Sequence, residues 1–270
     1  MTGVLDGQVA FVTGGGSGLG EAIARRLAAD GALVDINDMD ADSARRVAGE
    51  LGGTAHVFDV CDSAAFDTAV DSCAQRHGRL DICVNNAGIA PKDVASKVDR
   101  QVANSMARMT GSLDDWQPMN HLVDMSDEDW DRMIRVHLYG VFHGCRAALR
   151  HMTPRRTGRI VNMSSVLGLR PAAGAPHYSA AKAAIIALTK SVADEVAPLG
   201  INVNAVCPGY IDTPLLEPFG DQMKAGIVMR IGKGRMGAAS DIAEMVRFLC
   251  GPESEYCTAE VYPVTGGYGG

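Results

Sequence analysis

Tyr178 and Lys182 stand four residues apart in the run Tyr178-Ser179-Ala180-Ala181-Lys182. On a helix that spacing puts both side chains on one face. A phenol titrates near 10 in its free state, too high for a base at neutral pH, and a neighbouring ammonium favours its ionised form. The pair could therefore move a proton to or from an alcohol oxygen. Ser165 lies thirteen residues earlier, where a hydroxyl could hydrogen-bond the same oxygen as charge develops on it. A Tyr-x-x-x-Lys pair alone is common and mostly structural. It gains weight only with a partner that can accept or supply a hydride.

Such a partner is implied near the N-terminus. Val12-Thr13-Gly14-Gly15-Gly16-Ser17-Gly18-Leu19-Gly20 follows a strand-like run and opens a helical one. Gly14, Gly16, Ser17, Gly18 and Leu19 are the candidates for a pyrophosphate cradle, because glycines let backbone N–H groups approach phosphate at a helix N-terminus. Glu21 stands where a Walker A loop needs lysine. Asn37-Asp38 come about twenty residues later, where a carboxylate can accept the adenosine ribose hydroxyls and repel a 2′-phosphate. With Ser17 and Met39 at the positions that would otherwise carry a compensating cation, the expected cofactor is NAD rather than NADP. Asp38 has a second reading, as a cap for the helix that begins near Ala41.

To position these groups the chain alternates β-branched runs with amphipathic stretches. Strands are predicted near residues 9–12, 33–36, 55–58, 81–84, 159–162, 202–206 and 260–264. Helices are predicted near residues 20–29, 41–51, 64–76, 128–151, 178–197 and 242–249. That order predicts one α/β domain over residues 1–270, a doubly wound, mainly parallel, seven-stranded Rossmann-like sheet with helices on both faces. Its ligand crevice should lie beyond the carboxyl ends of the strands. Residues 89–125 interrupt the rhythm with an insertion, in which Val98, Val102, Met106 and Met109 predict a short amphipathic helix ended by Gly111.

With the remaining motifs the chain resembles the short-chain dehydrogenase/reductase family of the single-domain type. The resemblance rests on Thr13-Gly14-x-x-x-Gly18-x-Gly20, Asp59-Val60, Asn85-Asn86-Ala87-Gly88, Ser165, Tyr178-x-x-x-Lys182 and Pro208-Gly209, in that order, nearly end to end. It implies that Asp59 and Val60 contact adenine and that Asn86, Ala87 and Gly88 pack beneath the adenosine ribose. Pro208, Gly209, Ile211 and Thr213 would hold the nicotinamide. Asp59 also reads as an ordinary acid at a helix N-terminus. The family commonly carries Asn in a V-N-L-x-G run, thought to hold a water in a proton path from the lysine. Here the run is Val136-His137-Leu138-Tyr139-Gly140. His137 is either a functional replacement, able to bridge waters and titrating nearer neutrality, or a structural histidine.

The expected function is NAD-dependent hydride transfer between nicotinamide and a secondary alcohol or ketone, with Ser165, Tyr178, Lys182 and His137 as the catalytic candidates. Leu167, Leu169, Tyr210, Leu215, Leu216, Phe219, Met223 and Met229, with Met109, Met119 and Met125, would line an apolar substrate wall. They favour a cyclic, aliphatic or steroid-like substrate, with a 3-oxoacyl thioester as the alternative. A non-catalytic NAD(H)-binding regulator is the rival from another class. Relatives assemble through the alanine-rich helix after Tyr178, so a homotetramer or homodimer is expected. The net charge of −7 argues against a nucleic-acid partner, and no apolar run is long enough for a membrane span. Seven cysteines, odd in number and never in C-x-x-C spacing, read as reduced thiols of a cytoplasmic protein with no metal site.

Overall fold

The computed structural model describes residues 3–92, 98–217 and 219–268. Seven strands form one sheet in the order β3-β2-β1-β4-β5-β6-β7, every neighbouring pair parallel. They are β1 (Val9–Thr13), β2 (Leu33–Asp38), β3 (Ala55–Val57), β4 (Ile82–Asn85), β5 (Gly158–Met163), β6 (Ile201–Pro208) and β7 (Val261–Val264). The sheet is thus wholly parallel where the sequence reading allowed a mainly parallel one. β1, β4 and β6 are buried along their whole length. They therefore read as continuous apolar runs rather than alternating ones, as helices on both faces require.

Side chains still alternate between the two faces. From β1, Ala10 and Val12 join Ile23, Leu27, Val47, Ile242 and Val246 in one core layer, built with α1 (Gly18–Ala29), α2 (Ala41–Leu51) and α10 (Ala239–Cys250). Val9 and Phe11 join Phe66, Val70, Val141, Ile185 and Val196 in the other, built with α3 (Ser63–His77), α6 (Gly140–Arg155) and α8 (Pro176–Val196). Each fully buried Ile, Leu or Phe contributes roughly 1.5–3 kcal/mol relative to exposure. The two layers together hold the strand ends that carry the site.

The chain leaves β1 towards β2 and β3, then returns to pair β4 on the other side of β1. The crevice opens at this reversal. Register brings Thr13 beside Asn37, Asn85 beside Asn162, and Pro208 beside Val264. The loops after β1, β2, β4, β5 and β6 therefore emerge along one edge. In the insertion, α4 spans Val98–Thr110, as the periodicity predicts. It is held to its own return segment by a two-way amide contact. Asn104 donates to the Gln117 carbonyl at 2.7 Å, and the Gln117 N–H donates to Asn104 at 2.8 Å.

The long helix predicted near residues 128–151 is α5 (Asp127–Ile134) running into α6 through a π turn, Arg135–Tyr139. Such one-turn bulges recur at functional sites, and His137 lies within this one. The remaining helices are the short α7 (Val166–Leu169) and α9 (Asp221–Val228). Among the described residues no helix is long and apolar enough to cross a membrane.

Candidate active site

The glycine loop is built for close approach at its two ends. A Cβ on Gly20 would lie 1.9 Å from the Gly14 carbonyl oxygen, so only glycine lets α1 start this near β1. Ser17 caps α1 without a side-chain bond to the helix, leaving its hydroxyl and the first-turn N–H groups available to an anion. Gly16 also supports the carboxylate at the end of β2. Its N–H donates to Asp38 at 3.0 Å, and a Cβ there would meet the Asp38 carboxylate at 2.9 Å. Gly16 thereby anchors the Asp38 carboxylate beside the loop.

Both capping alternatives fall. The cap of α2 is Asp40, which accepts the N–H groups of Asp42 and Ser43. Asp38 instead accepts Gly16 and Asp40 N–H groups, one on each oxygen, and still faces the crevice. The cap of α3 is Asp62, while Asp59 accepts the Cys61 N–H and lines the crevice beside Val60. A cation missed by the sequence reading stands close by. Arg46 donates to the Gly16 carbonyl at 3.1 Å and pairs with Glu21 at 3.0 Å. It sits eight residues past Asp38, beyond the positions where a compensating charge was sought.

At the end of β4, Asn86 donates to the Thr13 and Gly14 carbonyls at 3.0 and 3.3 Å. The Thr13 hydroxyl accepts the Asn86 and Ala87 N–H groups at 2.9 and 3.0 Å. Asn86 thus ties the two strands at the reversal rather than reaching outward, with Ala87 and Gly88 beside it on the crevice wall.

Tyr178, Lys182 and Ser165 converge from α8 and the end of β5. Ser165 caps α7, accepting the Leu167 N–H at 3.1 Å, which leaves its own proton free to donate. It lies close enough to Tyr178 to act on the phenol. Lys182 is buried, and its ammonium donates to the Met163 carbonyl at 2.8 Å while lying 5.6 Å from the Tyr178 ring centre. The Ser164 hydroxyl, not anticipated from sequence, donates to the Lys182 carbonyl at 2.7 Å and pins α8 to β5. Burial pushes the Lys182 ammonium down to about 7. Burial also raises the Tyr178 phenol above its ordinary value, against the lowering influence of Ser165. The expected lowering of Tyr178 by Lys182 is not found: desolvation of both groups outweighs it.

His137 lies against this pair, its ring 5.2 Å from the Tyr178 ring and nearly perpendicular to it. A Cβ on Gly88 would meet the imidazole at 2.6 Å, so the glycine makes room for it. Nε2 faces both the carbonyl and the N–H of Ile89, at 3.0 and 3.2 Å, and can serve one of them at a time. Nδ1 is buried without a hydrogen-bond partner among the described residues. Burial, then the Lys182 charge, holds the imidazole well below its usual value. The expectation that it titrates nearer neutrality is therefore corrected: this histidine stays neutral.

Asp38, Asp59, His137, Ser165, Tyr178 and Lys182 all open on one cavity of about 1660 Å³. Single small-molecule pockets are roughly 300–1,000 Å³, so there is room for a dinucleotide and a second ligand. Pro208, Gly209, Ile211 and Thr213 line it where nicotinamide binding is expected, and Leu19 and Met39 at the adenosine end. Its outer wall carries Leu167, Tyr210, Leu215, Leu216, Phe219, Met223, Met229 and Met109 as expected, joined by Val102 and Met106 of α4. Leu169, Met119 and Met125 do not line it. Tyr268 was missed because the C-terminal Gly-Gly-Tyr-Gly-Gly run carries no periodicity. It is buried, with its ring 5.0 Å from that of Tyr210.

The family profile described as enoyl-(acyl carrier protein) reductase matches residues 14–269. The 3-oxoacyl-[acyl-carrier-protein] reductases of Salmonella typhimurium and Escherichia coli are each 36% identical over 264 residues, covering 97% of both chains. That of Thermotoga maritima is 35% identical over 268 residues, covering 97% of this chain and 98% of its own. Among solved structures, levodione reductase superposes with a TM-score of 0.84 at 30% identity, covering 97% of each chain.

Proposed function

The chain belongs to the short-chain dehydrogenase/reductase family, and from that premise we propose that it is an NAD-linked 3-oxoacyl-thioester reductase, working on the carbonyl through Tyr178, Ser165 and Lys182. That it is an oxidoreductase of CH–OH and keto groups follows from the family, which sets aside the non-catalytic regulator. The thioester moves ahead of the cyclic or steroid-like alcohol favoured from sequence because the three bacterial relatives named above are 3-oxoacyl-[acyl-carrier-protein] reductases. The apolar wall from Met106 and Met109 to Phe219 and Met223 suits an acyl chain as well as a ring.

The observation that carries the reading is the convergence of Ser165, Tyr178 and Lys182 on that cavity, with the lysine buried 5.6 Å from the tyrosine ring. Nicotinamide would supply or accept the hydride at the carbonyl carbon. Ser165, its oxygen held by the Leu167 N–H, donates to the substrate oxygen as negative charge grows there. Tyr178 gives its phenolic proton to that oxygen in reduction and takes it back in oxidation. Lys182 keeps two N–H donors beyond the Met163 carbonyl for the nicotinamide ribose. The support for NAD over NADP is Asp38, whose carboxylate lines the crevice where a 2′-phosphate would be repelled. Exposed Ala180, Ala183 and Ala187 on α8, beside exposed Tyr139 and Phe142 on the π turn and α6, support a homo-oligomer through this face.

The test is a panel of 3-oxoacyl thioesters, cyclic and aliphatic ketones and keto-steroids, each with NADH and with NADPH, followed by loss of nicotinamide absorbance. A thioester should give the highest kcat/KM. A cyclic ketone that outruns every thioester would overturn the substrate assignment and leave the reaction class standing.

A further inference from the structure

On the side of the sheet away from α1, strand β2 carries a buried carboxylate that the hydride chemistry does not use. Asp35 is fully buried among apolar neighbours, a costly place for a charge without partners. Its partners converge from two other elements. His77 and Cys73 lie one turn apart on α3, and the ligand atoms of Asp35, Cys73 and His77 all fall within 4.8 Å of one another. From β3, His56 Nε2 stands 3.2 Å from the second carboxylate oxygen, and the Thr54 N–H donates to the first at 2.8 Å.

His77 Nε2 approaches Asp35 to 3.5 Å, yet it is buried without a hydrogen-bond partner. A thiolate, an imidazole and a carboxylate supply three of the four donors that a tetrahedral zinc ion takes, and zinc bonds to them run about 2.0–2.3 Å. Atoms sharing one such ion lie about 3.3–3.7 Å apart at those lengths, so side-chain shifts of about 1 Å close this trio on a metal.

We propose that Asp35, Cys73 and His77 hold one zinc-class ion that clamps α3 to β2, remote from the hydride site. The sulfur donor favours zinc over magnesium or calcium, which take oxygen ligands. His56 then orients the Asp35 carboxylate from behind, as outer partners do at metal centres. One carboxylate and one thiolate neutralise the ion, so the buried charge is balanced. Cys73 enters as a thiol whose ionisation burial opposes, and metal binding displaces its proton to solvent. The site was invisible in the sequence as a motif, since Cys73-x-x-x-His77 spacing only becomes a ligand set once β2 brings Asp35 across.

The experiment uses the untagged full chain, stripped with a chelator and then titrated with Zn²⁺ against a chromophoric competitor, and in parallel with Co²⁺. The expected result is one tight equivalent per chain and a thiolate-to-cobalt charge-transfer band. His56→Gln should weaken binding by ~10–100-fold, and Cys73→Ser and His77→Gln by more than that. Absence of tight uptake by the unaltered chain, or of the thiolate band, overturns the proposal without any variant having to fold. So does a tight equivalent that survives in folded Cys73→Ser and His77→Gln chains.

Discussion

Replacing Asp38 with alanine should move this enzyme's nucleotide preference towards NADP. The size of the shift can be worked from the contacts around Gly16. Asp38 accepts Gly16 N–H on one oxygen at 3.0 Å and Asp40 N–H on the other at 3.1 Å, which leaves lone pairs for a ribose hydroxyl. A hydrogen bond to a charged acceptor contributes about 1.5 kcal/mol at the low end of its range, the appropriate end for a group reached by solvent. Relief of repulsion between the carboxylate and a 2′-phosphate about 4 Å away adds about 1 kcal/mol in a watery environment. The sum, about 2.5 kcal/mol, is a shift of roughly 70-fold in the ratio of kcat/KM for NAD to that for NADP.

The ratio is the right quantity because Asp38→Ala also loosens the glycine loop. That damage falls on both nucleotides alike and cancels. Arg46 supplies a second arm: its guanidinium already lies on the Gly16 carbonyl at 3.1 Å, next to where the phosphate would come. In the Asp38→Ala background, Arg46→Ala should therefore lower kcat/KM for NADP more than for NAD. A ratio that moves less than about threefold in Asp38→Ala, under about 0.65 kcal/mol, would refute the ribose assignment. It would leave Asp38 as a support for the loop.

Tyr178→Phe removes the transferable proton with little change of volume, so kcat should fall by about 100-fold or more while NADH fluorescence still reports binding; a variant above a tenth of natural turnover would not have lost its acid. For Lys182, folding lowers the ammonium from 10.5 to about 7. Between those values the unfolded chain binds the proton and the folded chain does not, so stability should rise with pH across that window. Melting temperatures of the natural chain and Lys182→Met, compared over it, should therefore diverge in the natural chain's favour as pH rises, and a constant difference would contradict the buried-lysine account. His137→Asn should keep kcat within about tenfold, and His137→Leu should lose more than that at unchanged NAD affinity. Full turnover per folded molecule in the leucine variant would make His137 a packing residue, and an imidazole NMR titration near 6.5 would contradict its burial as a neutral ring.

The strand and helix order was legible because β-branched runs and amphipathic stretches alternate without ambiguity, and α4 appeared where Val102, Met106 and Met109 marked one face. The glycine loop, Ser165 and Tyr178 were legible because their chemistry demands particular residue types. Three things were not. The π turn around His137 leaves no periodic trace, since one extra residue in a helical turn looks like ordinary helix in sequence. The hold of Gly16 on Asp38 could not be read, because whether a glycine meets a carboxylate depends on where β2 ends. Arg46 lay outside the window in which a compensating cation was sought, and only the packing of α2 against the loop brings it to Gly16.

The same dependence on packing governs the proton chemistry. From spacing alone, Tyr178 and Lys182 form an activated pair, because an ammonium four residues away should draw the phenol down. In the folded chain the two are desolvated together, and burial acts on them in opposite directions: the phenol rises and the ammonium falls to about 7. His137, beside both, is driven neutral for the same reason, with the Lys182 charge adding to the effect. Around neutral pH Tyr178 and His137 are thus held uncharged, while Lys182 titrates there. For ketone reduction this is the useful state, since Tyr178 must arrive protonated and give its proton to a developing alkoxide. Oxidation asks the reverse, and no cation of the chain stabilises the phenolate enough to make Tyr178 a strong base at pH 7. Burial thus brings Tyr178 to the site as a protonated acid, the form in which ketone reduction uses it.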